Sequence, residues 1–169
     1  MDRLARRVVE HLQKNDLTIS AAESCTGGMI ASTIINIPGS STVLGSSFVT
    51  YSNQAKHLIL GVPEEDIKTF GAVSEVVARK MAQGVRNISG ADIGVSATGI
   101  AGPDGGTEGK PVGLVYIAIS SGRRIMCKKL KLSGSRQKIR KNTTREILNL
   151  VLEETGYYER NKTAMQRSE

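Results

Sequence analysis

The chain has no tryptophan and only four tyrosines and two phenylalanines. Binding of single-stranded nucleic acid by stacking bases on aromatic side chains is therefore disfavoured. Cysteine is equally scarce. Cys25 and Cys127 cannot build a disulfide framework, and no His, Cys, Asp and Glu combination has metal-ligand spacing. A reduced, cytoplasmic protein with no metal and no other cofactor is expected. No apolar run is long enough to span a membrane. The N-terminus leads into an amphipathic pattern, with Leu4, Val8, Val9 and Leu12 on one side, and not into a signal-peptide core. Acidic residues are missing from 123–145, a segment that holds ten basic ones: Arg123, Arg124, Lys128, Lys129, Lys131, Arg136, Lys138, Arg140, Lys141 and Arg145. The formal net charge of +7 is thus local, and the remainder is mildly acidic. Such a cluster suits a phosphate, a nucleic-acid backbone or a solvated face.

What is plentiful is glycine, 18 in 169 residues, which implies several tight turns. The length suits one domain with a real core. Periodicity predicts a helix over 2–14, a strand over 17–22, a helix over 27–37 and a strand over 46–51. Ser52 is placed to cap a short helix running to Leu60, and another turn of helix follows Pro63. Ser74-Glu75 opens a longer helix with Val77, Met81, Val85 and Ile88 on one side. Strands are expected over 92–98, 113–119 and 125–132, then a helix over 135–154. Helices interspersed with strands predict an α/β fold, a single-domain layered α/β/α sandwich with a mixed, mostly parallel sheet. Residues 1–156 form the expected domain, and 157–169 a frayed polar tail.

Three segments are polar where a scaffold would not require it, and each follows a strand: Ala22-Glu23-Ser24-Cys25-Thr26-Gly27-Gly28, Thr50-Tyr51-Ser52-Asn53-Gln54-Ala55-Lys56, and Thr98 to Gly106. Crevices at strand ends are where open α/β sheets bind ligands. At the first segment, exposed N–H groups and the positive end of a helix dipole can meet an anion or a developing oxyanion. Ser, Thr and Gly are also ordinary capping residues there. Ser24 and Cys25 compete as nucleophile. A thiol at a helix N-terminus is acidified, whereas an inward-facing one is a small apolar residue. Glu23 has two equal readings, a structural one in which it bonds loop amides and a catalytic one. Lys56, in a first helical turn, has two readings. One, favoured from the residues alone, is a surface lysine that extends to solvent. The other is a partly buried amine with a lowered pKa that takes a proton from a serine. His57 is the alternative base, and His11 reads as helix surface. The glycine loop matches neither a Walker A motif nor a dinucleotide fingerprint, since Lys110 is followed by Pro111.

Together the words AESCTGG (22–28), IPGSS (37–41), FVTYSNQAKHLILGVPEE (48–65), GAVSEVVARKMAQG (71–84) and TGIAGPDGGTEGKPVGLVYIAI (98–119) resemble the CinA C-terminal-domain family. Its enzymatic, PncC-type members are nicotinamide-nucleotide amidohydrolases. The likeness is collinear from about residue 4 to 154 and is to the stand-alone form, without the extra N-terminal domain of longer members. The resemblance implies deamidation of nicotinamide mononucleotide to nicotinic acid mononucleotide and ammonia, without a cofactor, in pyridine nucleotide salvage. It puts the nucleophile at Ser24 and the base at Lys56, with Tyr51 beside them. It puts Cys25, Thr26, Gly27, Gly28, Thr98, Gly99 and Gly102 around the substrate, and Arg136 or Arg140 at the 5′-phosphate. Gly134-Ser135-Arg136 stands where many members read Gly-Asp-Arg, a departure that leaves Arg136 in place. A small-molecule nucleotide is the expected partner, with no membrane, nucleic acid disfavoured, and a homo-oligomeric assembly. The alternative is a non-catalytic nucleotide-binding or competence-associated interaction module.

Overall fold

The computed structural model describes residues 1–157, so the tail expected beyond Tyr157 lies outside the described residues. The elements run α1 (Asp2–Lys14), β1 (Ile19–Glu23), α2 (Met29–Ile35), β2 (Leu44–Val49), α3 (Asn53–Leu60), α4 (Glu64–Phe70), α5 (Glu75–Ser89), β3 (Ile93–Gly99), β4 (Leu114–Ser120), β5 (Ile125–Lys131) and α6 (Arg136–Glu154). One sheet has the order β2-β1-β3-β4-β5. Its β1–β2 and β1–β3 pairs are parallel, and β3–β4 and β4–β5 are antiparallel. The sheet is mixed as expected, but its parallel and antiparallel ladders are equal in number. The reason is local: β4 and β5 join through the Ser121-Gly122 turn, and β4 returns against β3 without a crossover helix.

Helices α1, α2 and α6 cover one face through Val8, Leu12, Ile30, Ile34, Ile147 and Leu150, which meet Ile19, Val95 and Ile117. On the other face α5 packs close because small residues meet there. Ser96 donates to Ala78 O at 2.6 Å, and a Cβ added to Gly94 would lie 2.2 Å from Ala82 O. Val77, Met81 and Val85 then close a second core with Leu60, Val62 and Ile67.

Element positions differ from expectation where backbone geometry intervenes. Leu17 N–H donates back to Leu12 O, so residue 17 is still held in the turn that closes α1, and β1 starts at Ile19. Gly27 and Gly28 have φ of +58° and +90°, so α2 cannot begin before Met29. Ile88 is half exposed. Arg86 already donates to the carbonyl of Asp92 before β3 begins, so the last turn of α5 overhangs the sheet. His11 is 8% exposed and not on the surface. Its ring meets Tyr157 edge-on at 5.1 Å, which packs Tyr157 against the core where a frayed tail was expected.

Candidate active site

Because β1 is parallel to both neighbours, the C-terminal ends of β1, β2 and β3 lie along one edge of the sheet. The three polar segments leave the sheet there and enclose a cleft of about 280 Å³, just below the roughly 300–1,000 Å³ usual for ligand sites. Ser24 and Cys25 line it from the first loop, Tyr51, Asn53 and Lys56 from the second, and residues 98–102 with Asp104 and Gly105 from the third. Arg136 completes the wall from the start of α6.

Lys56 is 1% exposed, which corrects the surface reading of this residue. After β2, Thr50 N–H donates to Glu23 O, which draws the chain back toward β1. Ser52 then caps α3, its Oγ accepting from Ala55 N–H at 3.0 Å. Residue 56 falls within that first turn and is directed inward. Its Nζ donates to Ser24 Oγ at 3.1 Å, to Thr50 O at 2.9 Å and to Tyr51 O at 3.3 Å. Burial holds the ammonium below the usual lysine range. His57, by contrast, engages Val62 O through Nδ1 at 2.9 Å, with Nε2 3.9 Å from Glu64, away from Ser24.

The turn that carries Ser24 is fixed on several sides. Ser24 N–H donates to Ala97 O and Gly27 N–H to Ser24 O. The fully buried Glu23 carboxylate accepts from Ile30 N–H at 3.0 Å and Ala31 N–H at 2.9 Å. Glu23 therefore occupies the N-terminal amides of α2, the place where the sequence left room for an incoming anion. Burial first, and then the Glu23 carboxylate, push the Cys25 thiol up to about 12, against the opposing effects of its own backbone N–H, Lys56 and Arg140. An acidified thiolate at this turn is not what the geometry makes.

Thr26, fully buried, and Gly27 and Gly28 lie behind the cleft and shape the turn without lining the cavity. Thr98 and Gly99 line it, and Thr98 Oγ1 donates to Ala72 O at 2.8 Å, tying the third loop to the start of α5. A Cβ on Gly99 would meet Val115 and Leu114 within 2.8 Å. Arg136 spans the mouth, donating to Gly102 O at 2.9 Å and to Tyr51 Oη at 3.1 Å. Arg140 grips Thr26 O through Nη2 at 2.7 Å and Nε at 3.2 Å. Among the described residues, Arg136 is the one arginine lining the cleft.

The rest of the basic segment is dispersed. Arg124 pairs with Glu154 at 2.9 Å, Lys128 pairs with Glu153, and Lys129 lies over the Tyr116 ring. A larger hollow of about 650 Å³ opens at the opposite end of the sheet, between Asp92, Ser121 and the end of α6. In its wall Arg124 pairs with Glu154, Ser121 Oγ donates to the same carboxylate and Arg86 donates to Asp92 O. Among the described residues no group of three or more His, Cys, Asp or Glu could hold a metal, and no helix is long and apolar enough to cross a membrane.

Asn53 and Asp104 also line the cleft, although the sequence did not single them out. The signal for Asp104 was its place in the Gly102-Pro103-Asp104-Gly105-Gly106 loop. The carbonyls of Thr50 and Tyr51 carry no sequence signal at all.

Residues 1–155 match the family described as the CinA C-terminal domain. A CinA-like protein of Dictyoglomus thermophilum is 51% identical over 144 residues, 85% of this chain and 35% of that protein. The chain thus spans about a third of the length of the curated relatives it matches. The crystal structure of the competence/damage inducible protein CihA from Agrobacterium tumefaciens matches with a TM-score of 0.88 and 42% identity, covering 89% of this chain and 93% of that one. A CinA superfamily protein from Klebsiella pneumoniae matches with a TM-score of 0.89 and 29% identity over 92% and 98% of the two chains. This chain belongs to the CinA C-terminal-domain family.

Proposed function

We propose that this protein hydrolyses the carboxamide of nicotinamide mononucleotide to nicotinic acid mononucleotide and ammonia, in pyridine nucleotide salvage, with Ser24 as nucleophile and Lys56 as its base. The observation that carries this reading is the Lys56 Nζ, 1% exposed and 3.1 Å from Ser24 Oγ at the floor of a cleft. A neutral amine has two N–H donors and one lone pair. With the N–H groups on Thr50 O and Tyr51 O, the lone pair is left to accept the Ser24 hydroxyl proton. The same carbonyls hold the amine in place whether it carries two hydrogens or three.

Ser24 Oγ then attacks the carboxamide carbon as its proton passes to Lys56. The tetrahedral intermediate collapses with cleavage of the C–N bond, and Lys56 returns the proton to the departing nitrogen, which leaves as ammonia. Water attacks the acyl-Ser24 ester and gives a proton to Lys56, which restores it to Ser24 Oγ as the carboxylic acid departs. The N–H groups of Ser24 and Gly27 are committed to carbonyls, and among the turn's other amides we assign oxyanion stabilisation to that of Cys25, the residue after the nucleophile. Arg136 suits the phosphate, because its guanidinium is held by two uncharged acceptors and keeps N–H donors to spare. Asp104 and Arg136 give the cleft one negative and one positive side chain besides Lys56, a match for a ligand with a cationic ring and an anionic phosphate.

The test is ammonia release from nicotinamide mononucleotide by the wild type and by Ser24→Ala, Lys56→Ala and Cys25→Ala. The first two should abolish turnover and the third should keep it. Loss in Cys25→Ala with retention in Ser24→Ala would move the nucleophile to the thiol. Tight nucleotide binding without ammonia release would favour a non-catalytic nucleotide-binding module instead.

A further inference from the structure

We infer that Arg140 is a positioning residue for Ser24, acting through the Thr26 carbonyl and not on substrate; the inference rests on the Ser24–Lys56 reading above. Its guanidinium reaches from α6 to a loop 114 residues earlier and takes one carbonyl with two N–H donors, Nη2 at 2.7 Å and Nε at 3.2 Å. Two donors from a rigid planar group on one oxygen fix its direction as well as its distance. The loop is shaped to receive it. Gly27 has φ of +58°, and a Cβ there would stand 3.3 Å from Arg140 Nη2. A side chain at 27 would thus be strained and would crowd the guanidinium.

The consequence for chemistry follows from where the anchors lie. Ser24 N–H is held by Ala97 O on one side of the turn, and Thr26 O by Arg140 on the other. Between them sits the Cys25 amide, proposed above as the oxyanion donor. Without Arg140, Thr26 O keeps only the Met29 N–H at 3.3 Å, and the turn that carries the Cys25 amide and Ser24 loses its directional anchor to α6. A displacement of about 1 Å at reacting atoms can cost on the order of 100-fold in rate. Arg136 lies one helical turn earlier on the same face of α6, at the cleft mouth with Gly102 O and Tyr51 Oη. The two arginines divide the work: one faces the cleft, and the other holds the nucleophile turn from behind.

The experiment compares wild type, Arg140→Gln, Arg140→Lys and Arg136→Gln in two readouts. These are kcat and KM for ammonia release from nicotinamide mononucleotide, and the rate at which a fluorophosphonate probe phosphonylates Ser24 with loss of fluoride. Arg140→Gln is expected to lower kcat and the labelling rate by about 10- to 100-fold, with KM within about twofold. Arg140→Lys, which keeps the charge and one donor, should recover part of both, and Arg136→Gln should raise KM. A raised KM in Arg140→Gln at unchanged kcat and labelling would overturn the inference in favour of a phosphate contact. Unchanged values in all readouts would overturn it outright, and so would an unfolded Arg140→Gln with no recovery in Arg140→Lys. Wild type that neither labels at Ser24 nor releases ammonia would remove the amidase reading and this inference together. Active wild type with an unaffected Arg140→Gln removes this inference alone.

Discussion

Replacing Lys56 by methionine tests whether the buried amine is the base, because it should change stability and rate in pH-dependent ways that a surface lysine could not produce. The substitution keeps an unbranched chain but deletes the donors to Thr50 O and Tyr51 O, at 2.9 and 3.3 Å. A buried acceptor left unmatched costs about 1–3 kcal/mol. Against this, the wild type carries the desolvation cost of an ammonium in a site 1% exposed, which is why the Lys56 pKa lies below the usual lysine range. Below the folded-state pKa both native and unfolded chains hold the proton, and the cost is present in full. Between that pKa and the unfolded value of about 10.4, the unfolded chain binds a proton that the native chain does not, so native stability rises with pH. Lys56→Met lacks this contribution. Its stability deficit relative to wild type, measured by urea unfolding from pH 7 to 10, should therefore widen as pH increases. Cys25 and Cys127, pushed up by burial to about 12 and about 11, stay thiols in the native chain while the unfolded chain ionises them, which lowers stability with rising pH in wild type and variant alike and so cancels in the difference. In parallel, wild-type kcat/KM should rise with pH to a plateau reached below the ordinary lysine range. Lys56→Met should lose about 10²–10⁴-fold, the usual contribution of a positioned base, and show no such rise. A deficit independent of pH, together with a wild-type profile inflecting at the ordinary lysine pKa, would refute the reasoning.

Three further outcomes follow from the packing of the site and its supports. Iodoacetamide at neutral pH should modify Cys25 far more slowly than an exposed thiol, since Cys25 is 6% exposed and its thiol is held up to about 12; rapid alkylation seen by mass spectrometry would contradict that burial. Glu23→Ala strips both acceptors from the first turn of α2 and should destabilise by about 2 kcal/mol in urea unfolding, whereas an unchanged midpoint would mean that the Ile30 and Ala31 amides find another partner. Gly84→Ala places a Cβ 2.0 Å from Leu60 O, where α5 passes the end of α3, so a loss of about 1–3 kcal/mol is expected, and a neutral effect would argue against so close an approach.

Much of the architecture was legible because its signals are local. Ser52, Ser74 and Ser135 each accept a hydrogen bond from the amide three residues on, so the starts of α3, α5 and α6 were written in the sequence within a residue. The three polar loops were legible as a site because each follows a strand. Strand order was not local in this way. Whether β4 returns antiparallel beside β3 or crosses over depends on how Gly99 to Gly113 folds back, and there Gly113 N–H meets Ile100 O and Ile100 N–H meets Leu114 O. A run of glycines announces turning but not direction.

Lys56 marks the sharper boundary between what residue types determine and what tertiary structure decides. By its type and its place in a first helical turn it reads as solvent-seeking. It is buried because its amine finds backbone carbonyls at Thr50 and Tyr51, and backbone acceptors leave no trace in residue identity. The helix dipole at the Ser24 turn went the other way. The sequence left it open to an anion, and the structure spends it on Glu23, a carboxylate from the same chain. With that source of positive potential committed, charge developing on a substrate carbonyl must be met by fewer and better aligned groups. Precision in the Cys25 amide then matters more than it would beside an open helix end. A turn proposed to supply both nucleophile and oxyanion donor needs to be held rigidly, and Glu23 within β1 and Arg140 from α6 hold it from two layers of the fold.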